Sequence, residues 1–136
     1  MDTPTLIKTK MRKVLIIEDD YKFRILLRRL LEKKFHLEVF EAGDGAEGFE
    51  LYLQESPKMI FLDISMPNMN GIECLAKIRQ IDQSTSVIVM TCMNSRECVE
   101  AMIGMGVSDY VVKTDLVMSL SDRIYDIIEK NKYCFI

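Results

Sequence analysis

A chain of 136 residues is long enough for one buried core and too short for two. Apolar residues at 49% and charged residues at 29% suit a globular protein, and a net charge of −3 leaves no basic footprint for nucleic acid. No apolar run reaches the roughly 18–20 residues of a membrane span, and none follows the lysines of residues 1–10, so that segment reads as a flexible tail and the cytoplasm is the expected compartment.

In chain order, the first apolar run is Val14-Leu15-Ile16-Ile17, which ends in Glu18-Asp19-Asp20. Asp20 is placed to cap a helix in which Phe23, Leu26, Leu27, Leu30 and Leu31 recur at helical spacing, with Arg24, Arg28, Arg29, Lys33 and Lys34 on other faces. Leu37-Glu38-Val39-Phe40 reads as a short strand, polar enough for a sheet edge. Asp44 caps a second helix carrying Ala46, Phe49, Leu51 and Leu53, which stops before Ser56-Pro57. Met59-Ile60-Phe61-Leu62 runs into Asp63, and the turn-forming Ser65-Met66-Pro67-Asn68-Met69-Asn70-Gly71 follows. A third helix passes through Ile72, Leu75 and Ile78.

Val87-Ile88-Val89-Met90 stops at Thr91, and Asn94 or Ser95 can cap a fourth helix with Val99, Met102 and Ile103, closed by Gly104 and Gly106. Tyr110-Val111-Val112 stops at Lys113, before a fifth helix through Leu120, Ile124, Ile127 and Ile128. Five strand–helix units of this length give a doubly wound α/β domain, a parallel sheet with helices on both faces. The predicted domain runs over 11–131, with a C-terminal tail at 132–136. Cys74, Cys92, Cys98 and Cys134 lack CxxC spacing and read as reduced, packed thiols, and the single His36 has no histidine partner for a metal site.

In open α/β sheets, ligands sit outside the carboxyl ends of the strands, which would gather Glu18, Asp19, Asp63, Thr91 and Lys113 on one edge. Two carboxylates ~4 Å apart repel by about 4 kcal/mol at an effective dielectric near 20, so the acids call for a cation. Hard oxygen donors with room for water favour Mg²⁺. Asp63 is also of the residue type that forms aspartyl-phosphates, while a lysine and a hydroxyl can meet phosphoryl oxygens. Taken singly, each of these residues would be an ordinary loop tip or strand end. Their equivalent placement is what carries the reading.

These residues resemble the receiver domain of two-component response regulators over about residues 11–131. The resemblance rests on Val14-Leu15-Ile16-Ile17-Glu18-Asp19-Asp20, on Leu62-Asp63-Ile64-Ser65-Met66-Pro67-Asn68-Met69-Asn70-Gly71, on Val89-Met90-Thr91 and on Asp109-Tyr110-Val111-Val112-Lys113. It implies a flavodoxin-like (βα)5 fold of strand order 2-1-3-4-5 and a signalling protein rather than an enzyme. Asp63 would be the phosphoacceptor, with Mg²⁺ (or Mn²⁺) held by Glu18, Asp19, Asp63 and the backbone carbonyl of Ser65. Thr91 and Lys113 would contact the phosphoryl group, and Tyr110 would be the switch aromatic. The implied partners are a sensor histidine kinase or phosphotransfer protein and a downstream protein target or output domain. Homodimerisation through the fourth helix, fifth strand and fifth helix also follows, where Met102, Met105 and Val107 suit an adaptable contact.

Two departures stand out. Thr114 follows Lys113 where the family usually has proline after a cis peptide, which leads us to expect a trans bond. Cys92 follows Thr91 where a smaller residue is common. Three alternatives remain open on the residues alone. A flavin module would need a hydroxyl- and amide-rich first loop, where this chain has acids. An aspartyl phosphohydrolase usually carries a second aspartate where Ser65 stands, and a receiver-like docking module would not be phosphorylated at all.

Overall fold

The computed structural model describes residues 12–64, 71–91, 100, 103–113 and 117–135, the side chains of 117–119 excepted. Its elements are β1 (Lys13–Ile17), α1 (Tyr21–Phe35), β2 (Glu38–Ala42), α2 (Gly45–Glu55), β3 (Met59–Asp63), α3 (Gly71–Ile81), β4 (Ser86–Thr91), β5 (Asp109–Val112) and α4 (Val117–Asn131). The strands pair in parallel in the order β2-β1-β3-β4-β5, so the expected topology and the edge position of the second strand both hold. α4 is the fifth helix of the sequence. Of the fourth, Glu100 and Ile103 are helical, Gly104 N–H bonds the Glu100 carbonyl, and Gly106 turns the chain at φ 75°. Asn94, Ser95, Val99 and Met102 lie outside the described residues.

Alternation along the strands divides the core in two. Val14, Ile16, Phe61, Ile88 and Met90 face α1 and α4, meeting Leu27, Leu31, Leu120, Ile124, Ile127 and Ile128. Leu15, Ile17, Ile60, Leu62, Val87 and Val89 face α2 and α3, meeting Tyr52, Cys74, Leu75 and Ile78. Both faces of the central strands are covered, which is why they read as unbroken apolar runs rather than alternating ones. Asp20 and Asp44 cap their helices as predicted, accepting from Lys22 and Phe23 N–H and from Glu47 N–H respectively. His36 closes α1 in the left-handed region at φ 54° and takes no part in a metal cluster among the described residues.

Three expectations need correction. The second helix turns Gly45, Gly48 and Tyr52 to the core, while Ala46 and Leu53 face solvent. Gly48 is required there because a Cβ would sit 2.5 Å from Ile17 Cδ1. Residues 132–135 are not a tail: Lys132–Phe135 form a 3₁₀ turn that buries Phe135, with the Arg12 guanidinium 5.4 Å from its ring. Met105 and Val107 are half-buried against the α2–α3 face, so part of the adaptable patch is core margin. Residues 1–10 lie outside the description, as do Cys92 and Cys98, whereas Cys74 and Cys134 are free thiols.

The amino edge of the sheet holds a saturated polar knot. Asp82 accepts from the Tyr52 hydroxyl at 2.8 Å, from the N–H groups of Ser84 and Thr85, and from both of their hydroxyls. Burial alone would raise the Asp82 pKa, but these donors outweigh it and hold the carboxyl well below its ordinary value. Burial, and then the same pairing with Asp82, push Tyr52 up to about 12. Arg79 donates to the carbonyls of Asp82, Thr85, Met105 and Gly106, tying the end of α3 to the approaches of β4 and β5. No helix among the described residues is long and apolar enough to cross a membrane.

Candidate functional site

The carboxyl edge is built from consecutive strand ends. Glu18 follows β1 and keeps its N–H on the Ala42 carbonyl at 3.0 Å, so its side chain is held in the sheet's interior and is fully buried. Asp63 is the last residue of β3, opposite Met90 in register and 1% exposed. Thr91 ends β4 and is buried, and its carbonyl accepts from Lys113 N–H at 2.7 Å. Lys113 itself follows β5 and turns inward. Its Nζ lies 2.8 Å from Glu18 Oε1 and donates to Asp63 Oδ2 at 3.4 Å. Asp19 sits at the solvent mouth.

Carboxylate oxygens of Glu18, Asp19 and Asp63 lie within 4.8 Å of one another. Burial pushes the Glu18 carboxyl up to about 8, and the nearby Asp63 adds to the rise. The Lys113 ammonium and the Asp20 N–H, 2.9 Å from Oε2, oppose it without cancelling it. Glu18 Oε1 accepts no hydrogen bond of good geometry; Lys113 stands beside it as a counter-charge. Clustered hard oxygen donors, one of them underused and one open to water, fit a divalent cation of the Mg²⁺ type, and Mn²⁺ shares that preference.

Second-rank residues fix the edge. Arg24 of α1 donates through Nη1 to the Glu18 carbonyl at 2.7 Å and pairs with Glu41 of β2 at 2.8 Å, where Arg28 also binds. Burial would raise the Glu41 pKa, but the two guanidinium groups outweigh it and hold the carboxyl below its usual range. Gly71 lies against the Asp63–Ile64 backbone so closely that a Cβ would stand 2.3 Å from the Asp63 carbonyl oxygen and 2.4 Å from Ile64 Cα. The glycine ending the turn-rich segment is therefore a packing requirement as well as a turn former.

Of the residues singled out in the sequence, Glu18, Asp19, Asp63, Thr91 and Lys113 come to this edge. Tyr110 lies on β5 and is 39% exposed, with its carbonyl held by Arg123 of α4. Ser65, Cys92 and Thr114 lie outside the described residues, so the Ser65 carbonyl and the 113–114 peptide do too. Sequence reasoning missed Arg24–Glu41 and the contact of Gly71. An arginine four residues after the capping Asp20 was the available signal for the first.

Residues 14–125 match the family model described as the response regulator receiver domain. The chain belongs to the response regulator receiver family. It is 33% identical over 118 residues to the chemotaxis protein CheY of Bacillus subtilis, covering 87% of this chain and 95% of that one. Sporulation initiation phosphotransferase F of the same organism is 30% identical over 112 residues, 82% of this chain and 90% of the relative. Among solved structures, the response regulator domain of Thermotoga maritima CheB superposes with a TM-score of 0.78 at 25% identity, over 91% of this chain and 96% of that one. This receiver is thus a component of two-component signalling with the flavodoxin-like order 2-1-3-4-5.

Proposed function

We propose that this receiver accepts a phosphoryl group on Asp63 from a phosphohistidine of a sensor kinase or phosphotransfer protein, in a Mg²⁺-dependent step. The observation that carries it is the buried Asp63 carboxylate at a strand end, with Lys113 Nζ at 3.4 Å and two further acids beside it. An Asp63 oxygen forms the new bond to phosphorus while the donor's P–N bond breaks, and the imidazole leaves with the electron pair. Lys113 neutralises charge on the transferred group, and the Thr91 hydroxyl donates to it. Glu18, Asp19, Asp63 and the Ser65 carbonyl would hold Mg²⁺, which when bound supplies positive charge to the phosphoryl oxygens.

The output surface in this reading is the face around β5 and the helices flanking it, where Tyr110 is 39% and Ile103 65% exposed. Tyr110 acts as the switch aromatic, turning as Thr91 moves toward the phosphoryl group, so the face changes its affinity for a downstream protein, an output domain or a second copy. The protein works in the cytoplasm and is not an enzyme acting on a separate substrate. Incubation with acetyl phosphate and Mg²⁺ followed by intact mass measurement tests the core of this. One labile phosphoryl adduct is expected, absent without Mg²⁺ and absent in Asp63→Asn. An adduct on another residue overturns the assignment of Asp63, and none in the wild type overturns phosphorylation itself and leaves a docking role.

A further inference from the structure

We propose that Phe23 is a positioning residue for Lys113, its ring forming an apolar wall that holds the ammonium over the phosphorylation site. The Lys113 Nζ lies 5.0 Å from the centroid of the Phe23 ring. Other lysines approach rings in this fold, Lys13 at Phe40 and Lys77 at Phe49. Lys113 differs in that its side chain is only 9% exposed, and a cation–π contact strengthens as the cation loses water. Phe23 packs, half-buried, against the α1–α4 core, so a packing role is the plain alternative.

The local chain explains why the ring stands there. One carboxylate, that of Asp20, accepts from the Phe23 N–H at 3.3 Å and sets the first turn of α1. The Asp20 N–H meanwhile donates to Glu18 Oε2 at 2.9 Å. A single capping residue therefore sets both the acid and the ring between which the lysine lies. Thr114 follows Lys113, so no proline ring stiffens the backbone beyond it. Holding a flexible four-carbon stem at one place falls to what surrounds its tip, Glu18, Asp63 and Phe23.

The inference rests on the reading that Lys113 contacts the phosphoryl group, and two separate readouts keep the two apart. The first is proton NMR of the Lys113 side chain in the metal-free protein, wild type against Phe23→Leu and Phe23→Tyr. A stem over a ring face has upfield-shifted Hε resonances, which should return toward the position of a lysine remote from any ring in Phe23→Leu and stay upfield in Phe23→Tyr. The second is the rate of phosphorylation by saturating acetyl phosphate with Mg²⁺. Phe23→Leu should slow it about three- to tenfold with the half-saturating Mg²⁺ concentration unchanged, and Phe23→Tyr should restore it. Successive ring fluorination at position 23, which keeps shape and weakens the π-face, should lower the rate step by step even if the leucine variant folds poorly. Unshifted Lys113 resonances in the wild type, or a fluorinated series with a flat rate, overturn the proposal. A wild type that takes no phosphoryl group yet shows the Phe23-dependent shift overturns the phosphoacceptor reading and leaves the positioning intact.

Discussion

The two edges of the sheet treat buried polar groups in opposite ways. At the amino edge, Asp82 meets donors at both oxygens and its proton affinity falls. At the carboxyl edge, Glu18 is more deeply buried and its proton affinity rises, because burial disfavours its charge, the neighbouring Asp63 adds to the rise, and Lys113 and the Asp20 N–H do not cancel the two. Satisfied, the half-buried Asp82 carboxylate ties the end of α2 to the turn between α3 and β4 and stabilises the fold. Left short of positive charge, the Glu18 carboxylate is a strained group that only a cation or a proton relieves. The difference teaches where to look for function: the edge with the poorer internal balance is the one prepared for something from outside.

Gly71→Ala attacks the carboxyl edge hardest. Its new Cβ would press on the Asp63 carbonyl from 2.3 Å, moving the acceptor. Phosphorylation should slow by about 100-fold, with a stability loss of about 2 kcal/mol by urea denaturation. A variant that phosphorylates normally would show that Asp63 tolerates displacement. At the other edge, Phe135→Ala should cost about 3 kcal/mol and leave the phosphorylation rate intact. A negligible loss would return residues 132–135 to the status of a tail.

Asp82→Ala should cost about 2 kcal/mol, since Tyr52, Ser84 and Thr85 lose their acceptor. Because the folded pKa of Asp82 is depressed, its contribution is present above the unfolded value near pH 4 and is lost as pH falls through the folded one. The acid limb of the stability curve should accordingly flatten in Asp82→Asn. A limb as steep as the wild type's would mean that other carboxylates carry the acid sensitivity. The smallest effect has the opposite sign: Glu18→Gln should raise metal-free stability by about 1 kcal/mol, because burial and then Asp63 disfavour the ionised form of Glu18, a neutral amide carries no such cost, and Lys113 keeps Asp63. A fall instead would mean that the Glu18–Lys113 pair outweighs the burial.

Much of the carboxyl edge was legible in the sequence because the parallel sheet turns four separate strand ends into one place. Glu18, Asp63, Thr91 and Lys113 each followed an unbroken apolar run, and a run of that kind fixes both the strand and its direction. The amino edge was not legible. Tyr52 and Leu53 are neighbours of similar apolarity in a short helix, and which one turns inward depends on Asp82, 30 residues away, accepting the tyrosine hydroxyl. Phe135 stands in the apolar run Tyr133-Cys134-Phe135 after the last helix, and nothing local announces that Phe135 is buried while Tyr133 is exposed. Phe23 reads as one more apolar position of α1, and only the folded chain brings Lys113 over its ring.

The opposed roles of the two edges are tested most directly by urea denaturation of wild type, Asp63→Asn and Asp82→Ala at neutral pH, each with and without saturating Mg²⁺. Metal that binds only the folded chain adds stability by mass action. Wild type and Asp82→Ala should gain the same Mg²⁺ increment from different starting points. Asp63→Asn should lose most of that increment while being at least as stable as wild type without metal. An Asp82→Ala variant without the Mg²⁺ gain, or an Asp63→Asn variant that keeps it in full, would contradict the assignment of metal and phosphoryl chemistry to the carboxyl edge.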